Sequence, residues 1–177
     1  MNHYIIFDVF DIYRWQYCIF QSETYEVYDY IRYFDGTSNT GEWSGNVTAT
    51  ATDDGVHLTT TQANTFFLKN GSQLFIPTDN DFCIEFTGII NNVCAFYIST
   101  VQNTRGTTVG TLNSRNPIAT ANYRFEWING VMKFYINDVL ATTTNLDLSS
   151  VNNCGICFTD WQSDLDIYLK DFKVYSI

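Results

Sequence analysis

The sequence has few charged residues, and basic residues are the scarcer kind. Of its 177 residues, 16% are charged, and nine Lys and Arg face nineteen Asp and Glu, so the formal net charge is −10. Nucleic acids and anionic lipid surfaces require a basic face, and no basic cluster occurs here. No apolar run approaches the ~18 residues of a membrane-spanning helix. We therefore predict that neither nucleic acid nor a membrane is a partner.

Histidine and cysteine are also scarce, which limits catalytic and metal chemistry. The two histidines, His3 and His57, allow few Ser/His/Asp triads, and His57 is expected to be an exposed strand residue. Five cysteines are an odd number and do not predict a disulfide framework. Cys154 and Cys157 have the spacing of half a zinc site or a redox pair. Residues three apart in a strand point to opposite faces, so we expect small buried thiols instead.

The first 35 residues are rich in aromatic side chains and hold twelve of the thirty in the chain. Two interpretations stay open for residues 1–35: a segment that docks on copies of the chain or on other particle subunits, or one or two additional strands of the core. The N-terminus lacks a basic region and does not resemble a signal peptide. We expect the protein in a virus particle or at a cell surface, and otherwise in the cytoplasm.

The segment from Tyr123 to Asn137 predicts a β-hairpin. Asn129 and Gly130 form the preferred centre of a two-residue type I′ turn, because both positions require positive φ. Folding there places Tyr123, Phe125 and Trp127 opposite Ile136, Phe134 and Met132 on one apolar face. The other face pairs Glu126 with Lys133 and Arg124 with Tyr135. This pattern indicates an antiparallel sheet with one buried side.

The rest of the chain predicts further short strands separated by turns, and one domain over residues 1–177. A turn at 53–55 joins strands at 46–51 and 56–61, and strands at 65–68 and 73–76 are expected to form a second hairpin. Phe82, Ile84 and Phe86 alternate inward, and Phe96 and Ile98 are expected across a turn at 90–92, so that Cys83 and Cys94 could lie on neighbouring strands. The remaining expectations are an edge strand within 102–116, a short helical turn within 145–151, and strands at 156–159 and 168–175.

Three segments together resemble the C-terminal half of the concanavalin A-like, laminin-G-like jelly rolls. They are residues 123–138, 153–158 and 168–175, and Trp43 with residues 53–58 resembles an early strand pair of that superfamily. The resemblance covers residues 43–177 and implies an all-β, antiparallel β-sandwich of jelly-roll type, with at most one short helical turn. It also implies a scaffold that often binds glycans, in some members with calcium. Fold alone does not choose a function.

Catalysis is not predicted. Glycanases of this superfamily carry a Glu-x-Asp-x-x-Glu pattern along one strand, which places two carboxylates at the separation that a retaining mechanism requires. The chain lacks that pattern, and Asp164, Asp166 and Asp171 are expected at a solvated loop end. We therefore predict no catalytic residues.

Sugar binding requires an exposed aromatic face beside polar groups that bind hydroxyls. Trp161 is the best candidate, because Asp160, Gln162 and Asp164 surround it in a polar segment between two strands. Trp43 is the second candidate. For both tryptophans, the alternative is a ring that caps the open end of the sandwich.

Calcium is the metal ion that the acidic loops favour. Asp79 and Asp81 offer hard oxygen ligands in a loop, although Asp and Asn are also ordinary turn residues. No other cofactor is predicted.

The sequence thus predicts a non-catalytic domain that binds a glycan or a cell-surface receptor, in the adhesion apparatus of a virus or phage. Two alternatives stay open, a structural coat or tail protein and a glycanase or lyase with an unrecognised site.

Overall fold

The computed structural model describes residues 30–34, 43–45, 47–60, 65–68, 74–91, 94–112, 120–160 and 166–177. The regular elements in these ranges are all β-strands. None of the described residues belongs to a helix that is long and apolar enough to cross a membrane. The strands are β1 (Tyr30–Phe34), β2 (Trp43–Gly45), β3 (Thr48–Thr52), β4 (Gly55–Thr59), β5 (Thr65–Leu68), β6 (Ile76–Pro77), β7 (Phe82–Ile90), β8 (Cys94–Ser99), β9 (Thr107–Leu112), β10 (Ala121–Ile128), β11 (Val131–Ile136), β12 (Val139–Asn145), β13 (Asn153–Asp160) and β14 (Asp166–Ser176).

The strands form two antiparallel sheets. The eight-stranded sheet has the order β12-β11-β10-β7-β14-β4-β3, with β1 also paired to β14. The six-stranded sheet has the order β2-β5-β13-β8-β9, with β6 also paired to β13. Inward side chains of both sheets join in one apolar cluster, which includes Phe86 and Phe96. The predicted all-β sandwich is therefore confirmed.

The predicted hairpin forms with the expected register. β10 pairs with β11 so that Phe125 lies opposite Phe134, Trp127 opposite Met132 and Glu126 opposite Lys133. Asn129 and Gly130 have φ angles of 49° and 80°, as a type I′ turn requires. Trp127 points inward, and its indole Nε1 donates to the carbonyl oxygen of Leu146 at 2.9 Å.

Aromatic rings fill the space between the sheets. Phe125 on β10 stacks on Phe96 of the opposite sheet with ring centroids 4.1 Å apart. Phe125 also stacks on Phe134 of β11 at 4.4 Å, and Phe86 on β7 stacks on Phe172 of β14 at 5.7 Å. Since these five rings are at most 2% exposed, each contributes ~1.5–3 kcal/mol through burial.

Two expected strand pairings are wrong. β5 and β6 do not form a hairpin, because both pair with β13: β5 opposite residues 157–159 and β6 opposite Asn153 and Cys154. β13 has eight residues, enough backbone to serve both short strands. β7 and β8 are not neighbours either, since they belong to different sheets and their inward rings, Phe86 and Phe96, meet across the core at 6.2 Å.

The same topology determines on which sheet and which face each cysteine of the described ranges lies. Cys83 and Cys94 lie in different sheets and are not on neighbouring strands, and both are buried thiols that form no disulfide. Cys154 faces the core between the sheets, whereas Cys157 belongs to a separate small cluster with Ala95 and Tyr97. Burial raises the pKa of Cys154 to about 12 and that of Cys157 to about 11. The prediction of small buried thiols on opposite faces is confirmed.

The sequence also predicts an edge strand within 102–116 and a helical turn within 145–151. β9 lies at one edge of the six-stranded sheet, as predicted for the polar stretch at 102–116. Residues 145–151, where a short helical turn is expected, contain no helix, and β12 continues to Asn145. A single hydrogen-bonded turn follows, in which the Val151 amide donates to Leu148 at 3.1 Å and the Asp147 carboxylate accepts from the Ser149 amide at 2.9 Å.

Of the aromatic-rich segment 1–35, residues 30–34 form β1, which runs antiparallel to β14. The other residues of that segment lie outside the described ranges.

Candidate functional site

A polar groove lies on the outer face of the eight-stranded sheet. Strand alternation places it there: Ile84 and Phe86 on β7 and Tyr123 and Phe125 on β10 are buried, so the residues between them point outward. The groove encloses about 270 Å³. Its lining residues are Glu85, Phe86, Thr87, Asn122, Tyr123, Arg124, Asp138, Asp171 and Lys173.

Cross-strand register aligns charges of alternating sign at the centre of the groove. Glu85 on β7 lies between two cationic residues, opposite Arg124 on β10 and opposite Lys173 on β14. Oppositely charged residues on adjacent strands stabilise a sheet by ~0.2–1 kcal/mol for each pair. The row Arg124–Glu85–Lys173 is therefore a stable arrangement that leaves polar atoms facing outward.

A bulge in β14 brings a second acidic residue to the groove. The pairing of β14 with β7 shifts between Lys170 and Lys173. Within the bulge, Phe172 is fully buried, and Asp171 adopts a positive φ of 52°. Asp tolerates this left-handed conformation better than most residues. The irregularity thus places Asp171 beside Lys173 in the groove lining.

Arg124 is held by three neighbours. Its guanidinium forms an ion pair with the carboxylate of Glu126 and lies 3.3 Å from Oδ1 of Asp138. It also stacks over the ring of Tyr135, 4.3 Å from the ring centroid. Burial and a hydrogen bond to Glu126 raise the pKa of Tyr135. A guanidinium supported in this way presents its remaining N–H donors in a fixed direction.

Hydrogen bonds of Asn122 with Thr87 and Asn137 fix one end of the groove. The Thr87 hydroxyl donates to Oδ1 of Asn122 at 3.0 Å. The backbone amide of Asn122 donates to Oδ1 of Asn137 at 2.9 Å, and the Asn137 amide donates to the carbonyl oxygen of Asn122 at 2.9 Å. Asn137 and Asp138 have φ angles of 49° and 63°, the geometry of a type I′ turn. This turn presents Asp138 at the rim, where its side chain is 85% exposed.

Tyr175 supports Glu85, the middle residue of the charged row. Its side chain makes hydrogen bonds with Cys83 and Glu85, and burial together with these bonds raises the pKa of Tyr175. Burial also raises the pKa of Cys83 to about 12. Tyr175 and Cys83 are 5% and 2% exposed, so they act as supports for Glu85 beneath the surface.

His57 lies on the same face, and the structure corrects its expected environment. Its side chain is only 26% exposed, and Nε2 lies 2.8 Å from Oδ1 of Asp166 on β14. The imidazole stacks on Tyr168 with ring centroids 4.1 Å apart and an interplanar angle of 3°. Asp166 is therefore paired with a histidine and does not sit at a freely solvated loop end, and Asp171 lines the groove.

The structure also locates some of the sugar-binding residues expected from the sequence. Trp43 is 7% exposed and packs edge-on against Phe158 and Phe172. The expectation of an exposed sugar-binding ring is therefore wrong for Trp43, and the structure agrees better with the alternative of a packed ring. Asp160 is the last residue of β13 and pairs with Cys94. Trp161, Gln162 and Asp164 lie outside the described residues, so their role stays a prediction.

The two candidate calcium ligands lie in the loop before β7. Asp79 is exposed and lines a shallow surface pocket beside Asn152. Oδ1 of Asp81 accepts a hydrogen bond from the Asn129 amide at 3.0 Å, which ties this loop to the tip of the β10–β11 hairpin. Within the described ranges, no group of three or more His, Cys, Asp or Glu residues is arranged to hold a metal ion.

The groove was missed in the sequence, although a signal for it exists. Glu85 and Thr87 alternate with buried residues on β7, as do Asn122 and Arg124 on β10. Those alternating polar pairs predict outward-facing rows. Their assembly into one site depends on the β7–β10 and β7–β14 pairings, which local patterns do not specify.

Comparison with solved structures identifies the architecture. The carbohydrate-binding module CBM66 from Bacillus subtilis has a TM-score of 0.55 and 12% identity, covering 78% of this chain and 98% of its own. The metal-free carbohydrate recognition domain of Emp46p has a TM-score of 0.55 and 8% identity, with coverages of 85% and 98%.

The fold of the chain is similar to that of these β-sandwich domains, as the resemblance to the concanavalin A-like jelly rolls predicts. A proposed glycosyl hydrolase from Parabacteroides distasonis shares it, with a TM-score of 0.55, 9% identity and coverages of 82% and 100%. No protein-family model and no curated protein matches the sequence. At these identities, the likeness concerns the fold of the chain.

Proposed function

We propose that this chain is a non-catalytic glycan-binding domain and that the polar groove holds the sugar. The observation that carries the proposal is the composition of the groove: carboxylates, an amide, a guanidinium and an ammonium converge on one outer sheet face. Sugar hydroxyls both donate and accept hydrogen bonds, so they suit a surface with fixed groups of both kinds. The carbohydrate-binding module and the recognition domain that share the fold support the same function.

Substitution of Arg124 tests this site. Replacing Arg124 with Ala removes charge-assisted hydrogen bonds of ~1.5–3 kcal/mol, so glycan affinity should fall by at least about tenfold. Arg105→Ala is the matched control, because Arg105 lies over Tyr97 on the outer face of the six-stranded sheet. The measurement is binding on a glycan array, followed by titration calorimetry with the best ligand. Equal affinity of wild type and Arg124→Ala would place the sugar elsewhere.

Trp161 offers a second location for the sugar, which the same array separates from the groove. If the loop with Asp160, Trp161, Gln162 and Asp164 binds the ligand, Trp161→Ala abolishes binding and Arg124→Ala leaves it unchanged. Thermal unfolding of Trp161→Ala tells whether the ring binds the sugar or packs in the core, because only the loss of a core residue lowers the melting temperature.

We also propose that binding persists in a calcium chelator, and this assay tests Asp79 and Asp81.

For the biological setting, we propose recognition of a glycan-bearing cell-surface receptor by a virus or phage particle. The aromatic residues within 1–29 support this setting as an attachment to other subunits or to copies of the chain, since residues 30–34 of the segment belong to β1. Light scattering tests the alternative of a structural assembly protein. A stable trimer or larger ring without sugar binding favours assembly, whereas a monomer that retains sugar favours the binding domain.

An enzymatic role would require turnover at this or another site. The proposed glycosyl hydrolase of the same fold makes the test worthwhile. We expect no release of reducing ends from a panel of polysaccharides, and measurable turnover abolished by Glu85→Gln would contradict the non-catalytic assignment.

A further inference from the structure

We infer that the polar groove selects uncharged sugars and rejects acidic ones such as uronic or sialic acids. The inference rests on the proposed function and adds the class of its ligand. It follows from how the charges of the groove are distributed between its centre and its rim.

Each cationic residue of the groove has at least one carboxylate as a neighbour. Arg124 pairs with Glu126 and lies 3.3 Å from Asp138. Lys173 lies opposite Glu85 in the strand register. A sugar carboxylate at Arg124 would lie close to the carboxylates of Glu126 and Asp138, and these like charges would repel it.

The rim adds an excess of negative charge. Three carboxylates, those of Glu85, Asp138 and Asp171, line the groove together with two cations. Asp138 is the most accessible of the charged groups, with an 85% exposed side chain. The whole chain carries a formal net charge of −10, so the surrounding field also repels an approaching anion.

A neutral sugar meets neither penalty. Its hydroxyls can donate to the carboxylates of Glu85 and Asp171 and accept from Arg124 and Lys173 without breaking the charge row. The side-chain amide of Asn122, which already accepts from Thr87 at 3.0 Å, offers its N–H groups as further donors. The groove therefore fits a polyhydroxylated ligand of zero net charge.

Paired glycans test this selectivity. An array should contain neutral oligosaccharides and the same core structures that end in a uronic or sialic acid residue. We expect wild type to bind a neutral member at least about tenfold more tightly than its acidic counterpart, with little change in neutral binding between 0.05 and 0.5 M salt because screening acts on charged pairs.

A rim variant sharpens the test. Asp138→Asn removes the accessible carboxylate beside Arg124 and should increase affinity for acidic glycans about tenfold relative to neutral ones. Asp54→Asn is the matched control, since Asp54 lies in the exposed β3–β4 turn and gives the same change in net charge. Only Asp138→Asn should alter the preference.

The outcomes separate the inference from the proposed function. Acidic glycans bound as tightly as neutral ones, or more tightly, overturn the selectivity while glycan binding stands. A preference altered equally by Asp54→Asn also overturns it, since the long-range field and not the groove would then be responsible. An array on which wild type binds no sugar overturns both.

Discussion

The outer faces of the two sheets differ in what they expose. On the six-stranded sheet, Ala95, Tyr97, Ser99 and Cys157 point away from the core between the sheets, yet each is at most 3% exposed. On the eight-stranded sheet, the outward positions of the central strands hold the partly exposed Glu85, Arg124 and Lys173. Both sheets share one core, and among the described residues the eight-stranded sheet carries a row of partly exposed charges on its central strands. This difference is the reason for proposing that the ligand binds on the eight-stranded sheet.

Part of the cover over the six-stranded sheet comes from the loop between β8 and β9. The Ser99 hydroxyl donates to the carbonyl oxygen of Val101 at 2.7 Å, and Arg105 lies 5.6 Å from the centroid of the Tyr97 ring. The Gly106 backbone makes a hydrogen bond with Cys157. A Cβ at Gly106 would lie 1.8 Å from the carbonyl oxygen of Ile98, so only glycine lets the loop approach this closely.

The largest effect should come from truncating the buried tyrosine of this packed face. Tyr97→Ala should lower the free energy of unfolding by about 3 kcal/mol, because it empties the site of a large ring that is 3% exposed. Urea unfolding followed by intrinsic fluorescence measures the change. Glycan affinity of the folded fraction should be unchanged. A loss below ~1 kcal/mol would mean that the face is not a packed layer.

The buried thiol beside Tyr97 predicts a pH dependence of smaller size. Burial raises the pKa of Cys157 from 9.0 to about 11, so the unfolded state loses its proton first as the pH rises. The stabilising difference is present below pH 9 and is lost between pH 9 and about pH 11. In that window the free energy of unfolding should fall by up to about 1.4 kcal/mol per pH unit for this thiol.

Cys157→Ala is the control for the pH effect. Urea unfolding of both proteins at pH 8, 9, 10 and 11, with a reductant present, isolates the contribution of this thiol. The difference in stability between wild type and Cys157→Ala should change across the window. Parallel curves would show that the thiol ionises equally in the folded and unfolded states. Cys83 extends the comparison to the polar face, because its pKa is also raised, to about 12, beneath Tyr175.

The contrast between the faces also shows what the sequence could specify. The β10–β11 hairpin was predictable residue by residue, because its turn residues, its apolar alternation and its Glu126–Lys133 pair all favour one register. Long-range pairings were not predictable. β7 and β8 are adjacent in sequence and carry matching inward rings, yet the rings meet across the core and not across a hairpin.

The candidate site follows the same rule. Alternation on one strand predicts which residues point outward, but the groove joins three strands that are distant in sequence and depends on the bulge around Asp171. Trp43 shows the same limit for a single aromatic residue in a polar segment. Its neighbours Glu42 and Ser44 indicate a surface, whereas packing on Phe158 and Phe172 buries the ring.

The smallest effect on stability should come from the tyrosine of the polar face, which is the counterpart of Tyr97. Tyr135 lies beneath Arg124, and a cation–π contact of this kind contributes ~0.5–1 kcal/mol at a partly exposed site. Tyr135→Ala should therefore cost about 1 kcal/mol or less in urea unfolding. Glycan affinity should nevertheless fall severalfold, because Arg124 loses the platform that orients it.

Tyr135→Phe distinguishes the platform from the hydroxyl. The phenyl ring can still support Arg124, so this variant should retain most of the affinity even though its hydrogen bond to Glu126 is lost. If Tyr135→Ala destabilised the protein as much as Tyr97→Ala, the two faces would be equally packed. The ligand would then not be expected on the eight-stranded sheet, because a binding face needs outer side chains that are available for binding and dispensable for folding.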